Sequence, residues 1–289
     1  MSVNIQTLKD IPPYLVKELE GLYPDTEINS FTGIIIKTLF NTGRLHLIHN
    51  QEMEVPGKKL NKIIEICNDL KKGKPIQYIL GETSFYGCRI KLNKDTLIPR
   101  QETEELVDLV IRENRGIKAK IIDVGTGSGC IAIALSKNLS GAEIIGTDNS
   151  PGALRMAELN ARINRVKVRF LRDDILNPVP ENIPRVMIIV SNPPYVRESE
   201  KKNMHRNVLD FEPHSALFVP DNDPLVYYRS ILDASDWLLF QNGKVYFEIN
   251  EAMGAEMATL IKSKGFIDVT IIKDLNGKER IIKGRLYGK

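Results

Sequence analysis

The chain has 289 residues, 42% hydrophobic and 27% charged, which bounds it as a globular protein of about two domains with material for sizeable cores. Its 40 basic and 37 acidic residues leave a net charge of +3, too balanced to argue for a nucleic-acid or membrane-surface partner. Cys67, Cys88 and Cys130 have no CxxC spacing, and His46, His49, His205 and His214 make no HExxH pattern, so neither a disulfide framework nor a metal site is expected. With no signal-peptide pattern and no run long enough to span a bilayer, the expectation is a cytoplasmic, monomeric protein.

Residues 1–73 read as a small helical bundle. Leu8, Ile11, Leu15, Leu19 and Leu22 recur at helical spacing, as do Ile28, Phe31, Ile35 and Leu39, then Leu60, Ile63, Ile64, Cys67 and Leu70. Pro12-Pro13 starts or breaks the first helix, Asn41-Thr42-Gly43 stops the second, and Pro56-Gly57 precedes the third. Over residues 74–95 the period changes, and Ile76–Leu80 and Phe85–Ile90 are expected to pair as a hairpin around Gly81-Glu82, linking two domains.

Residues 96–289 open on an acidic helix start, Gln101 to Glu105, suited to the positive end of a helix dipole. Strands then follow at 120–124, 143–147, 166–171, 186–190 and 244–249, with helices near 129–138, 151–163 and 224–240, the last begun by Asp223-Pro224. The alternation implies an α/β fold with a doubly wound, Rossmann-like parallel sheet. A last hairpin, 267–272 with 279–287 around Asn276-Gly277, is expected at the sheet edge.

Two strand ends carry the chemistry. After the first strand comes Asp123-Val124-Gly125-Thr126-Gly127-Ser128-Gly129, whose glycines let a ligand approach backbone N–H groups at a helix start. Its spacing is GxGxG rather than the dinucleotide GxGxxG, and the Asp123 carboxylate would repel a pyrophosphate while attracting the amino group of S-adenosylmethionine. Asp148, ending the second strand, is placed to accept from ribose hydroxyls; Asp174 and Ile175, after the third, are placed to hold an adenine. A plain strand-to-helix turn would account for the glycines alone, but not for three acidic strand ends in succession.

The apolar run Val186–Val190 ends at Ser191 and then at Asn192-Pro193-Pro194-Tyr195, where two prolines force the chain out of the sheet. The Asn192 side-chain oxygen and the Pro193 carbonyl can each accept one N–H of a substrate –NH2, aiming its nitrogen at a methyl donor; Pro194 stiffens the turn and Tyr195 packs beside the target group.

These residues resemble the amino-methyltransferases that carry this tetrapeptide. Gly81 to Gly87, Leu97 to Glu105, Phe211-Glu212-Pro213 with Ala216-Leu217, and Gly277 to Arg280 narrow the resemblance to the release factor N5-glutamine methyltransferase (PrmC/HemK) family. Membership implies a class I methyltransferase domain at 96–289 and a substrate-recognition role for the helices at 1–73. It also implies methyl transfer from S-adenosylmethionine, leaving S-adenosylhomocysteine, to the glutamine of the GGQ motif in class 1 peptide chain release factors. It places Gly125 to Gly129, Asp148, Asp174, Ile175 and Asn192 at the cofactor, and Asn192 to Tyr195, with Phe85 in the same pocket, at the glutamine. Three positions depart from the family pattern: Gln101 stands for proline, Ile175 for a frequent aromatic, and Asn250 for glycine. The competing readings are a DNA adenine or RNA guanine methyltransferase, disfavoured by the lack of a basic stripe, a nicotinamide oxidoreductase, disfavoured by the loop spacing, and a noncatalytic release-factor or ribosome binding module.

Overall fold

The computed structural model describes residues 5–41, 50–179, 181 and 183–288. It divides into two compact units, Met1–Leu80 and Gly81–Lys289.

In the first unit, helices Ile11–Leu19, Asp25–Phe40 and Gly57–Lys71 bury Ile11, Leu15, Leu19, Ile28, Phe31, Ile35, Ile63, Cys67 and Leu70 in one core, the stripe that the helical period predicts. Prolines sit in the first turn of the first helix, so Pro12-Pro13 starts it rather than breaking it. Leu22 falls beyond that helix's end and is exposed, and Ile66 rather than Ile64 joins the core. Asn41 caps the second helix in the left-handed conformation, while Thr42, Gly43, His46 and His49 lie outside the described residues.

Ile76–Leu80, expected as a strand, is a helix. An apolar run of five residues carries too little periodicity to separate the two forms, and here the turn chemistry decides. The Pro75 carbonyl accepts from the Tyr78 and Ile79 N–H groups at 3.0 and 3.1 Å, which nucleates a helical turn. The hairpin therefore forms downstream, in the second unit: β1 (Glu82–Phe85) pairs with β2 (Cys88–Lys91) around Tyr86 and Gly87, both at positive φ as a primed two-residue turn requires.

The second unit is built on β3 (Lys120–Val124), β4 (Glu143–Asp148), β5 (Val168–Arg172), β6 (Val186–Ser191), the short parallel pair β7 (Val196–Arg197) and β8 (Phe218–Val219), then β9 (Leu239–Glu248), β10 (Phe266–Lys273) and β11 (Glu279–Leu286). Seven of these form one sheet in the order β10-β11-β9-β6-β3-β4-β5; β5, β4, β3, β6 and β9 run parallel, and β11 is antiparallel to both neighbours. The α/β, doubly wound class and the antiparallel C-terminal hairpin are thus as read from the sequence. β9 begins earlier than the predicted 244 because Leu239 already pairs with Val186 before a register shift. The preceding helix boundary also moves: Val226–Leu238 starts after Leu225, and the two Asp223 carboxylate oxygens each accept from Arg229 at 2.8 Å.

Strand order reverses between β3 and β6, which lie side by side. Chain leaving β3 passes to one side of the sheet and chain leaving β6 to the other, so a crevice opens at their carboxyl ends. The Ser191 hydroxyl donates to the Val124 carbonyl at 2.6 Å and ties the two ends together there.

Candidate active site

The Gly-rich loop leaves β3 at this crevice. Gly125 and Thr126 both donate backbone N–H to the Thr147 carbonyl, at 2.9 and 2.8 Å, and the Gly127 N–H donates to Asp148 Oδ2 at 2.8 Å. These bonds hold the loop against the end of β4. Gly127 has φ +54 and no atom within 4 Å of where a Cβ would stand, so its cleft-facing side is open backbone. Gly129 is needed for another reason: a Cβ there would meet the Ala157 Cβ at 3.0 Å, where the helix Pro151–Asn164 packs.

Of the segment Asp123 to Gly129, Val124, Gly125 and Gly127 line the cleft, whereas Asp123, Thr126, Ser128 and Gly129 do not. The loop curls back on itself behind its exposed glycines, and Thr126 turns its hydroxyl to Asp123. Asp123 is completely buried and accepts the Thr126 hydroxyl on Oδ2 at 2.5 Å, while Oδ1 has no hydrogen-bond partner among the described residues. Burial pushes its carboxyl up to about 7, against the opposing pull of the Thr126 hydroxyl. Cys130, beside it, is pushed up to about 12 by burial and then by the Asp123 charge, which removes it from nucleophilic chemistry.

Asp148 lines the cleft with its carboxylate already oriented: Oδ1 accepts from the Ser150 N–H at 2.9 Å and Oδ2 from Gly127. Each oxygen keeps a second lone-pair direction for a ligand hydroxyl. Burial nonetheless raises its pKa. Asp174 and Ile175 line the cleft, and Asp173 joins them, bound through its N–H to the Asp148 carbonyl at 3.1 Å. Tyr227 faces the same cleft from the helix Val226–Leu238, and its hydroxyl is raised by burial and by the Asp174 charge. The aromatic that is missing at Ile175 therefore has a counterpart about 50 residues later, where no local pattern in the sequence marks it.

At the other strand end, Asn192, Pro193 and Pro194 line the cleft. Asn192 Nδ2 donates to Thr103 Oγ1 at 3.1 Å, and Thr103 donates to Glu248 Oε2 at 2.6 Å. The other carboxylate oxygen accepts the Tyr195 hydroxyl at 3.0 Å. Tyr195 is not among the residues that line the cleft and packs against the sheet core. A buried carboxylate needs donors, and among the described residues the Thr103 and Tyr195 hydroxyls supply them to Glu248. Burial raises the Glu248 pKa, countered by the two hydroxyls and the nearby Arg280 guanidinium; burial, with the Glu248 charge, likewise raises Tyr195. Asn250 explains its own departure from glycine: Nδ2 lies 3.4 Å from the Tyr195 carbonyl and 3.3 Å from Glu200 Oε2, so the side chain braces the turn.

Phe85, the last residue of β1, is 1% exposed and is not among the residues that line the cleft. The cleft wall comes instead from Leu97, Pro213 and Ala216. Glu212 joins the two segments that carry them, accepting the Ile98 N–H at 3.2 Å and Arg100 Nη2 at 2.5 Å. Gln101, in place of proline, opens the helix Gln101–Glu113, where Glu102 and Glu104 in the first turn complement the dipole. Among the described residues no group of three His, Cys, Asp or Glu side chains could hold a metal, and no helix is long and apolar enough to cross a membrane.

Comparison with known proteins gives the relatives of the chain. The family model described as Methyltransferase small domain matches residues 103–211. A release factor glutamine methyltransferase of Flavobacterium psychrophilum is 44% identical over 280 residues, covering 96% of this chain and 98% of its own. Its counterpart in Bacteroides thetaiotaomicron is 41% identical over 272 residues, 94% and 98% of the two chains. Among solved structures, a methyltransferase from Pyrococcus furiosus matches with a TM-score of 0.52 at 14% identity, over 80% of this chain and 99% of its own, a likeness of fold.

Proposed function

Because the chain belongs to the release factor glutamine methyltransferase family, we propose that its cleft transfers a methyl group from S-adenosylmethionine to the side-chain amide nitrogen of the GGQ glutamine in a class 1 peptide chain release factor. One observation carries the site-level reading. A single cleft is lined by the open Gly125 and Gly127 backbone, by Asp148 and Asp174, and by Asn192 and Pro193. A cofactor with a polar ribose and a cationic amino-acid end fits such a lining: glycine backbone for close approach, carboxylates for hydroxyls and positive charge.

Asp148 would take the ribose hydroxyls, with Asp174, Ile175 and Tyr227 around the base and Gly125 to Gly127 along the amino-acid end. Asp123 serves from behind, holding the loop through Thr126. When bound, S-adenosylmethionine supplies an electrophilic methyl. The protein must prepare the nucleophile, an amide nitrogen whose lone pair is tied up in the resonance that gives a peptide bond its rotation barrier of roughly 18–20 kcal/mol. Asn192 Oδ1 and the Pro193 carbonyl each accept one N–H of the glutamine –NH2. Two acceptors at a fixed angle hold the nitrogen on line and stabilise positive charge as it develops there, through positioning and electrostatics rather than a titrating base. Pro193 adds rigidity, and Pro194 lines the approach. The N–CH3 bond forms as the S–CH3 bond breaks, leaving S-adenosylhomocysteine, and the methylated nitrogen sheds one of its two protons to solvent; the helices of the first unit are assigned to recognition of the factor.

Purified protein with methyl-labelled S-adenosylmethionine should label a release factor on one glutamine, located by peptide mass spectrometry. Label in DNA or RNA and none in the factor would overturn the reading.

A further inference from the structure

An amide clamp works only if the asparagine presents oxygen and not nitrogen to its substrate. The two ends of a side-chain amide have nearly the same shape, so hydrogen bonds must choose between them. Here the choice is made by a chain of bonds that runs from Asn192 through Thr103 to Glu248, the last two outside the cleft lining. Glu248 is 1% exposed, and its carboxylate can only accept. Thr103, 2% exposed, has one hydroxyl proton and spends it on Glu248 at 2.6 Å. The Thr103 oxygen is thereby left as an acceptor, and Asn192 Nδ2 fills it at 3.1 Å. Tyr195 donates to the other carboxylate oxygen at 3.0 Å, and the Tyr228 hydroxyl donates to the Glu248 carbonyl at 2.7 Å, so side chain and backbone of the anchor are both fixed.

We propose that Thr103 and Glu248 are positioning residues that set the polarity of the Asn192 amide, keeping its nitrogen on the protein and leaving Oδ1 as the acceptor that faces the substrate –NH2. The three residues come from the helix Gln101–Glu113, the end of β6 and the end of β9, so the relay exists only in the folded sheet. The role rests on the amide-methylation reading above, in which Asn192 meets the glutamine. Thr103 contributes no atom to the cleft lining, and its effect on turnover passes through Asn192 alone.

The test is a double-mutant cycle with a substrate-free readout beside it. Thr103→Val keeps the shape and removes the hydroxyl; it should lower kcat roughly 10- to 100-fold, the loss expected when an acceptor in the transition state is misaligned. Affinity for S-adenosylmethionine, measured by calorimetry, should stay within about twofold of wild type by the same logic, because the relay acts on the transition state. Thr103→Ser, which retains the hydroxyl, should recover most of the rate. Placed on Asn192→Ala, Thr103→Val should have no further effect, because the residue it orients is gone. In parallel, the Asn192 side-chain –NH2 signal in nitrogen-15 spectra, assigned by its absence in Asn192→Ala, should exchange with solvent faster in Thr103→Val and not in Thr103→Ser.

A Thr103→Val enzyme within twofold of wild type would overturn the relay. So would an equal loss from Thr103→Val with and without Asn192, or an unchanged –NH2 signal. Should the wild-type protein leave every release factor unmethylated, the amide-methylation reading falls; the exchange measurement, which needs no substrate, still decides the relay.

Discussion

Replacing Asp123 by asparagine isolates the cost of the buried carboxyl behind the Gly-rich loop. Asp123 is completely buried, Oδ1 has no partner among the described residues, and burial raises its carboxyl from an ordinary 3.8 to about 7. An acid with a raised folded-state pKa keeps its proton in the folded protein after the unfolded chain has released it. Between about pH 4 and 7 the folded state therefore holds the extra proton, and stability falls as pH rises through that window. Each tenfold difference in proton affinity between folded and unfolded states is worth about 1.4 kcal/mol, so a rise of this size sets a ceiling of about 4 kcal/mol. Asparagine does not titrate, and its side-chain oxygen can still accept the Thr126 hydroxyl. Urea unfolding of the ligand-free protein between pH 4.5 and 8, followed by the fluorescence of its one tryptophan, Trp237, reads the unit that contains Asp123. Asp123→Asn should gain stability relative to wild type as pH rises, by up to about 4 kcal/mol, with the difference levelling off above pH 7. A difference between the two proteins that stays flat from pH 4.5 to 8 would refute the buried-carboxyl reasoning.

Three further outcomes are expected. Asn192→Ala should reduce kcat by about 100- to 1,000-fold, the range for loss of one fixed transition-state hydrogen-bonding group, while calorimetry finds S-adenosylmethionine affinity little changed. Tyr227→Ala should weaken cofactor binding by about tenfold, an aromatic contact's worth, with kcat at saturating cofactor much less affected. Glu212→Gln removes the charge that joins Arg100 to the Phe211–Pro213 segment; with Arg100 one-third exposed, a loss of about 1–2 kcal/mol is expected in urea unfolding, together with a raised KM as the cleft wall loosens.

The positions of the two chemical strand ends were legible because their signals are local. Apolar β-branched runs mark buried parallel strands, and glycines or paired prolines mark where each must stop, so Gly125 and Asn192 could be set at carboxyl ends before any contact was known. Once strands and helices alternate, the switch point follows from topology, and both ends converge on one crevice. Ile76–Leu80 marks where local reading fails, since five apolar residues suit either period and the Pro75 carbonyl chooses. What no local pattern carried was the direction of side chains. Tyr195 sits in a motif that suggests contact with substrate, yet it turns to Glu248, 53 residues away, because a buried carboxylate requires donors. Asp123 precedes the glycines as a ligand-binding acid would, yet the loop folds over it and leaves it behind the cleft.

The fold class, the Gly-rich loop and the proline-bearing tetrapeptide at the two strand ends could all be read from residue order, because each is written in residues within a few positions of one another. The direction in which the Asn192 amide faces came from packing alone. That orientation depends on Thr103 and Glu248, 145 residues apart along the chain and within hydrogen-bond distance once helix and sheet are packed, and hydrogen bonds of that kind leave no period or motif in a sequence.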